Sequence, residues 1–90
     1  MKKSSTSFAD TVRLIVRKIP SGKTMSYKEV AGAAGSPKAA RAVARVMAMN
    51  YDETIPCHRV VCSNGTLGGY NRGGSITKGI LLQREGVTLR

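Results

Sequence analysis

"SYKEVAGAAGSPKAARAVARVMAMN", residues 26 to 50, is the stretch that decides the fold. It opens with Ser26 and Glu29 at capping-box spacing, which predicts the start of a short helix. Gly35 follows the run of helix formers and is expected to end that helix, because glycine readily takes the left-handed conformation of a helix C-terminus.

The second half of the stretch predicts another helix after a very short turn. Ser36 can cap it, Pro37 suits its first position, and the alanine-rich sequence continues to about Asn50. Two helices joined through "AGSP" are the pattern of a helix-turn-helix unit.

This second helix is expected to have one cationic face and one apolar face. Three basic residues fall at i, i+3 and i+7: Lys38, Arg41 and Arg45. Three apolar residues point another way, toward a core: Val43, Val46 and Met47. A cationic helix face is often merely solvated, so the pattern alone does not establish a nucleic-acid contact.

The charge of the whole chain strengthens that interpretation. Fifteen Lys and Arg against five Asp and Glu leave a net charge of +10 in 90 residues. Such an excess attracts polyanions, and DNA is the favoured partner here. A ribosomal-type or simply basic soluble protein is the alternative. An anionic membrane is disfavoured because no helix pairs a basic face with bulky apolar insertion residues.

The flanking segments complete a small domain. Ser7 to Ile19 is predicted as an amphipathic helix, with Ser7 and Asp10 at capping-box spacing. "HRVVCSNGTLGGY", residues 58–70, is predicted as a hairpin with Asn64-Gly65 as its turn, and a last helix is expected near 76–85. The expected fold is mainly α with a small β hairpin, a winged helix-turn-helix-like single domain over residues 1–90.

The segment "TIPCHRVV", residues 54–61, places a cysteine directly before the only histidine. Cys62 suits a buried apolar role, whereas Cys57 follows Pro56 in a cationic loop that favours the reactive thiolate. Neighbouring residues of an extended chain point to opposite sides, so His58 is expected to act on the thiol through a water. The carboxylates that could orient the ring are Asp52, Glu53 and Glu85.

We expect neither a metal nor a cofactor. The soft ligands Cys57, His58 and Cys62 are one short of a closed structural zinc set, and the first two are adjacent. The N-terminal segment has no continuous apolar run, which predicts neither a signal peptide nor a membrane span. A reducing, cytoplasmic location is expected, where a thiol stays free.

"IPCHRVV", "SNGTLGGY" and "KGILLQREGV" together resemble the DNA-binding, active-site domain of the O6-alkylguanine-DNA alkyltransferases. The resemblance extends from about residue 8 to residue 87. It implies a DNA-repair activity in which an alkylated guanine is flipped from the duplex and its alkyl group moves irreversibly to a cysteine. The implied enzyme is a stoichiometric methylated-DNA–protein-cysteine methyltransferase.

The resemblance also implies roles for single residues. Cys57 would accept the alkyl group, His58 would deprotonate it through a water, and Glu85 would orient His58. Asn50 would tie the recognition helix to the active-site loop, Tyr27 would crowd the target phosphate and protonate the departing guanine, and Arg41 would fill the gap in the base stack. The implied base pocket comprises Val60, Tyr70, Asn71 and Lys78, and the implied DNA contacts comprise Ser36, Lys38, Arg41, Arg45 and Tyr27.

The chain departs from the family pattern in three ways. It is expected to lack the N-terminal accessory domain, the 50–57 loop is one residue shorter, and the 70–78 segment is one residue longer with Arg72 inserted.

The implied partner is double-stranded DNA carrying O6-alkylguanine, bound by a monomer, and an excision-repair partner or fused nuclease is left open. Two rival functions remain: a non-enzymatic sensor of alkylguanine and a winged-helix transcription factor with a redox or structural thiol.

Overall fold

The computed structural model describes residues 7–52, 54–64 and 66–87. Its helices are α1 (Phe8–Arg17), α2 (Tyr27–Ala33), α3 (Ala40–Ala48) and α4 (Gly74–Arg84). Its strands are β1 (Met25–Ser26) and β2 (Val60–Val61), and a 3-10 turn spans Cys57–Arg59. The mainly helical class is therefore confirmed.

The two-stranded sheet is parallel, whereas the sequence predicted a hairpin. Met25 pairs with Val60 and Ser26 with Val61, so β2 lies beside the strand that leads into α2. The backbone N–H of Cys62 donates to the carbonyl of Thr66 at 2.9 Å, which closes a tight loop where the hairpin turn was expected. Of that turn, Gly65 lies outside the described residues.

Helix α2 begins and ends as its sequence predicts. Ser26 Oγ accepts from the Glu29 N–H at 2.9 Å, and Glu29 Oε1 accepts from the Ser26 N–H at 2.8 Å. Gly35 has a φ of +85°, and the Ser36 N–H donates to the Ala31 carbonyl at 2.9 Å. These bonds form a capping box at one end and a Schellman motif at the other.

Helix α3 is shorter than predicted at both ends. Ser36 does not cap α3: its N–H donates to the end of α2, and its carbonyl accepts from the Ala39 N–H in a turn that separates the two helices. The N-cap is Ala39, without a side-chain cap bond. The helix ends at Ala48, before Asn50.

The outer helices differ from prediction by one or two residues at each end. Ser7 caps α1 by accepting from the Asp10 N–H, and α1 ends at Arg17 rather than Ile19. Pro20 follows Ile19 and disfavours helical geometry there. Helix α4 ends at Arg84, and a second Schellman motif follows at Gly86 (φ +89°).

One core joins the first three helices to the loop that carries the thiol. Its buried members are Val12, Val16, Ile19, Val30, Ala31, Val43, Met47, Ile55, Cys57 and Val60. Val43 and Met47 confirm the predicted apolar face of α3. The 3-10 turn is thus held against the helix-turn-helix unit by the same apolar contacts that stabilise the domain.

Candidate active site

A cavity of about 390 Å³ opens between the start of α2, the C-terminal half of α3 and the loop after β2. Its lining comprises Tyr27, Ala44, Met47, Ala48, Cys57, Gly69, Tyr70 and Asn71. The pocket is mainly apolar with a few convergent polar groups, the character typical of small-ligand sites. Four of the sequence-predicted site residues lie in this wall: Tyr27, Cys57, Tyr70 and Asn71.

Cys57 is 4% exposed and is the first residue of the 3-10 turn. Its backbone N–H donates to the Ile55 carbonyl at 2.8 Å, and its carbonyl accepts from the Val60 N–H. Both cysteines are free thiols. Cys62 is half-buried, and its sulfur lies against Gly68, a glycine with a φ of +75° that also approaches Tyr27.

The imidazole of His58 pairs with the carboxylate of Glu85, the C-cap residue of α4. His58 Nε2 lies 2.9 Å from Glu85 Oε2. Of the three carboxylates considered from sequence, Asp52 instead accepts hydrogen bonds from Thr54, and Glu53 lies outside the described residues.

Arg59 is a member of this cluster that the sequence reasoning missed. Its Nε and Nη2 donate to Glu85 Oε1 and Oε2 at 2.8 and 2.6 Å, and its Nη1 donates to the Ile19 carbonyl at 2.8 Å. The hydrogen bonds from Arg59 are the main cause that lowers the pKa of Glu85 to about 2. The sequence signal that points to Arg59 is its place in "PCHRV", directly after His58.

His58 and Cys57 face different cavities, although they lie in a 3-10 turn and not in the extended chain that the sequence argument assumed. His58 lines a second cavity of about 530 Å³ together with Arg17, Arg59 and Arg72. Tyr70 lines both cavities, and its ring meets the imidazole edge-on at 6.4 Å. In the part of the chain that the structure describes, no hydrogen bond links His58 directly to Cys57.

Lys78 and Tyr27 form a buried polar contact at the edge of the thiol cavity. Lys78 is 0% exposed, and its ammonium group donates to Tyr27 Oη at 3.3 Å and to the Gly69 carbonyl at 3.2 Å. Burial lowers the pKa of Lys78 to about 8. Burial also raises the pKa of Tyr27, so its hydroxyl keeps its proton at neutral pH.

Two asparagines connect the end of α3 to the surrounding loops. The buried Asn50 side chain exchanges two 3.3 Å hydrogen bonds with the backbone of Asp52, at the start of the loop to Cys57. Asn71 Nδ2 donates to the carbonyls of Ala48 and Asn50 at 2.7 and 2.8 Å. Asn71 therefore caps α3 from the loop after Tyr70, a role that the sequence did not predict.

Val60 is buried in β2, where it pairs with Met25. Its backbone N–H donates a hydrogen bond to the Cys57 carbonyl. The expectation that backbone groups at Val60 meet a guanine edge stays a prediction.

The cationic residues predicted to contact DNA are all exposed, but they do not share one helix face. Arg41 and Arg45 lie on α3, one turn apart, whereas Lys38 and Ser36 precede the helix. The i, i+3, i+7 argument is wrong for Lys38, because the turn that begins at Ser36 delays the helix start. Arg41 lines a shallow depression that shares Tyr27, Ala44 and Gly69 with the thiol cavity.

Within the described ranges, no three His, Cys, Asp or Glu side chains cluster closely enough to hold a metal ion. Among the helices described, none has the length and apolar character needed to cross a bilayer.

Comparison with known proteins gives a consistent set of relatives. Residues 7–87 match the family model described as the 6-O-methylguanine DNA methyltransferase, DNA binding domain. The chain is 46% identical over 77 residues to the methylated-DNA–protein-cysteine methyltransferase of Cricetulus griseus, covering 84% of this chain and 37% of that protein. It is 51% identical over 81 residues to the bifunctional transcriptional activator/DNA repair enzyme Ada of Escherichia coli K12, covering 89% of this chain and 23% of Ada. The chain thus spans roughly a quarter to a third of these relatives.

Solved structures agree with the sequence relatives. Mycobacterium tuberculosis OGT in complex with DNA superposes with a TM-score of 0.84 at 40% identity, over 92% of this chain and 51% of OGT. S. pombe Atl1 in complex with damaged DNA containing O6-carboxymethylguanine superposes with a TM-score of 0.80 at 35% identity, over 90% of this chain and 77% of Atl1. Since the family model covers nearly the whole chain, the protein belongs to the family of 6-O-methylguanine DNA methyltransferase DNA-binding domains.

Proposed function

We propose that this protein binds alkylated duplex DNA, takes up the O6-alkylguanine base in the thiol cavity and transfers the alkyl group to Cys57 in a single turnover. The observation that carries the proposal is the position of Cys57 in the wall of a base-sized cavity, with a paired His58 as the next residue.

The chemistry follows from the groups around that cavity. His58 takes the thiol proton through a bridging water, and Glu85 holds the ring during the transfer. The thiolate sulfur then attacks the alkyl carbon: the S–C bond forms while the C–O6 bond breaks, and its electron pair stays on the guanine. The guanine regains a proton, which Tyr27 can supply because its oxygen already accepts from Lys78. The resulting thioether is stable, so each molecule repairs one base.

DNA binding is supported by charge and by the exposed residues of α3. The net charge of +10 attracts phosphates, and Arg41 lies beside the depression that adjoins the thiol cavity. We propose that residues 7–87 suffice for this contact as a single-domain monomer. Because alkyl transfer needs a reduced thiol, we also propose a reducing, cytoplasmic location.

The test is mass spectrometry after incubation with a duplex oligonucleotide that contains one O6-methylguanine. We expect one methyl group per molecule, mapped to Cys57, and no further turnover. Cys57→Ser should lose the adduct and still bind DNA, whereas the matched control Cys62→Ser should keep the adduct. A methyl group on Cys62 alone, or continued turnover, would sink the assignment.

A non-enzymatic lesion sensor is the second candidate, because the chain also superposes with a TM-score of 0.80 on Atl1 bound to damaged DNA. A sensor would bind the O6-methylguanine duplex more tightly than its unmodified counterpart and leave Cys57 unmodified. A sequence-specific transcription factor would show neither an adduct nor a preference for the lesion.

A further inference from the structure

The carboxylate of Glu85 is shared between two cationic or cation-forming side chains. Oε2 faces both His58 Nε2 (2.9 Å) and Arg59 Nη2 (2.6 Å), while Oε1 accepts from Arg59 Nε at 2.8 Å. All three side chains are largely buried, with 14% of His58 and 17% each of Arg59 and Glu85 exposed. These contacts are therefore only weakly screened by water.

An unshared carboxylate at this distance would create a problem for a catalytic base. A negative charge beside an imidazole favours the protonated ring, and a ring that already holds a proton cannot take one from a thiol. The fork of Arg59 offsets the charge of Glu85, while Oε2 stays in contact with His58. Arg59 can thus offset the negative charge of Glu85 and still leave the contact between Glu85 and His58 intact.

We infer that Arg59 is a positioning residue that fixes Glu85 against His58 and neutralises its charge, so that His58 is oriented yet available as a base. The catalytic meaning of this role rests on the proposed function. The low pKa of Glu85, about 2, is consistent with it.

Arg59 is itself held by a distant part of the chain. Its Nη1 donates to the carbonyl of Ile19, just beyond the end of α1, at 2.8 Å. A guanidinium can satisfy this carbonyl and both carboxylate oxygens at once, because its donors are arranged as a planar fork. An ammonium group is a single point charge and cannot bridge all three acceptors in this way.

Other charged or titratable groups also face His58. Arg17 and Arg72 line the same cavity, Tyr70 meets the ring edge-on, and Cys57 precedes it in the 3-10 turn. Arg17 is paired with Asp52 at 3.8 Å. None of these groups is altered by a substitution at Arg59, so a change in the titration of His58 would report the loss of the Arg59 charge together with its contact with Glu85, and a Glu85 variant separates the two effects.

The experiment is an NMR titration of the His58 ring, whose signals are unambiguous because the chain has one histidine. In Arg59→Met, the midpoint of the titration should rise by about one pH unit, since Glu85 then presents its full charge to the imidazole. In the Glu85→Gln variant, Arg59→Met removes only the direct repulsion between the guanidinium and the imidazolium, so the rise should be clearly smaller than with the wild-type Glu85. Arg84→Met is the matched control: it removes one exposed positive charge next to Glu85 and should leave the midpoint unchanged.

An equal upward shift with the wild-type Glu85 and in the Glu85→Gln background would overturn the inference, as would no shift in either. If Arg59→Met does not fold, Arg59→Lys provides the test, with a smaller shift expected because the charge is kept and the fork is lost. The titration does not depend on alkyl transfer, so its result is independent of the proposed function. If transfer occurs, the rising limb of its pH–rate profile should move upward with the same midpoint.

Discussion

Lys78 is a fully buried lysine whose charge is balanced by one hydroxyl, one carbonyl and one aromatic ring. Its Nζ lies 5.4 Å from the Tyr27 ring centroid, a cation–π distance. Removal from water is the main reason that its pKa falls from 10.5 to about 8. Lys78 is therefore a group whose protonation differs between the folded and unfolded chains.

This difference predicts an alkaline gain in stability. Between about pH 8 and 10.5 the unfolded chain holds the Lys78 proton and the folded chain releases it, so the free energy of unfolding rises with pH, by about 1.4 kcal/mol per unit at most. Urea unfolding across this window should show that Lys78→Met removes the rise. The control Lys18→Met, at an exposed position, should keep it. Identical pH slopes in the wild type and Lys78→Met would contradict the prediction.

The capping box of α2 gives a prediction at the scale of one element. Ser26 is 8% exposed and takes part in both box hydrogen bonds. We expect Ser26→Ala to lower the free energy of unfolding by about 1 kcal/mol, measured by urea denaturation. Ser7→Ala removes an exposed cap with one backbone bond and should cost less. A larger loss of stability for Ser7→Ala than for Ser26→Ala would show that the capping box contributes little to α2.

Helix α3 gives a prediction about DNA. Arg41 lines the depression that adjoins the thiol cavity at Tyr27, so we expect its side chain to fill the gap that a flipped base leaves. Arg41→Ala should slow alkyl transfer from duplex far more than from single strand, because unstacking a duplex base costs a few kcal/mol.

The free O6-alkylguanine base needs no flipping, so Arg41→Ala should leave its reaction nearly unchanged. Arg45→Ala, one turn along the same helix, is the control and should weaken binding without this difference between substrates. Equal losses of transfer on duplex, single strand and free base would assign Arg41 a general binding or structural role.

At the scale of the whole molecule, the net charge of +10 predicts binding that depends mainly on phosphates. The logarithm of the association constant should fall linearly with the logarithm of salt concentration, by about 0.9 per phosphate contacted, and vary little with sequence. Lys38→Ala should reduce the magnitude of this slope by about 0.9, the value for one lost phosphate contact. Arg13 is already paired with Asp10 at 3.1 Å, so Arg13→Ala should leave the slope unchanged. A slope near zero for the wild type would exclude phosphate-dominated binding.

The sequence by itself determined what depends on neighbouring residues. The capping box at Ser26 and Glu29 and the glycine turn at Gly35 are satisfied within a few residues, and both are present as predicted. The apolar period of α3 likewise placed Val43 and Met47 in the core. The motif placed Cys57 and His58 side by side, but that they line different cavities was decided by a 3-10 turn and not by the extended chain that the sequence argument assumed.

Tertiary structure decided the strand pairing, hydrogen bonds and burial that involve distant parts of the chain. The start of α3 moved to Ala40 because residues 36–39 form a separate turn after α2, and β2 pairs with β1 in a parallel sheet instead of forming a hairpin. Arg59 reaches acceptors 26 and 40 residues away. The burial of Lys78 likewise depends on how α4 packs. Such contacts are set by the packing of helices around the core, and a local pattern of residue types does not specify which distant carbonyl or carboxylate will meet a given side chain.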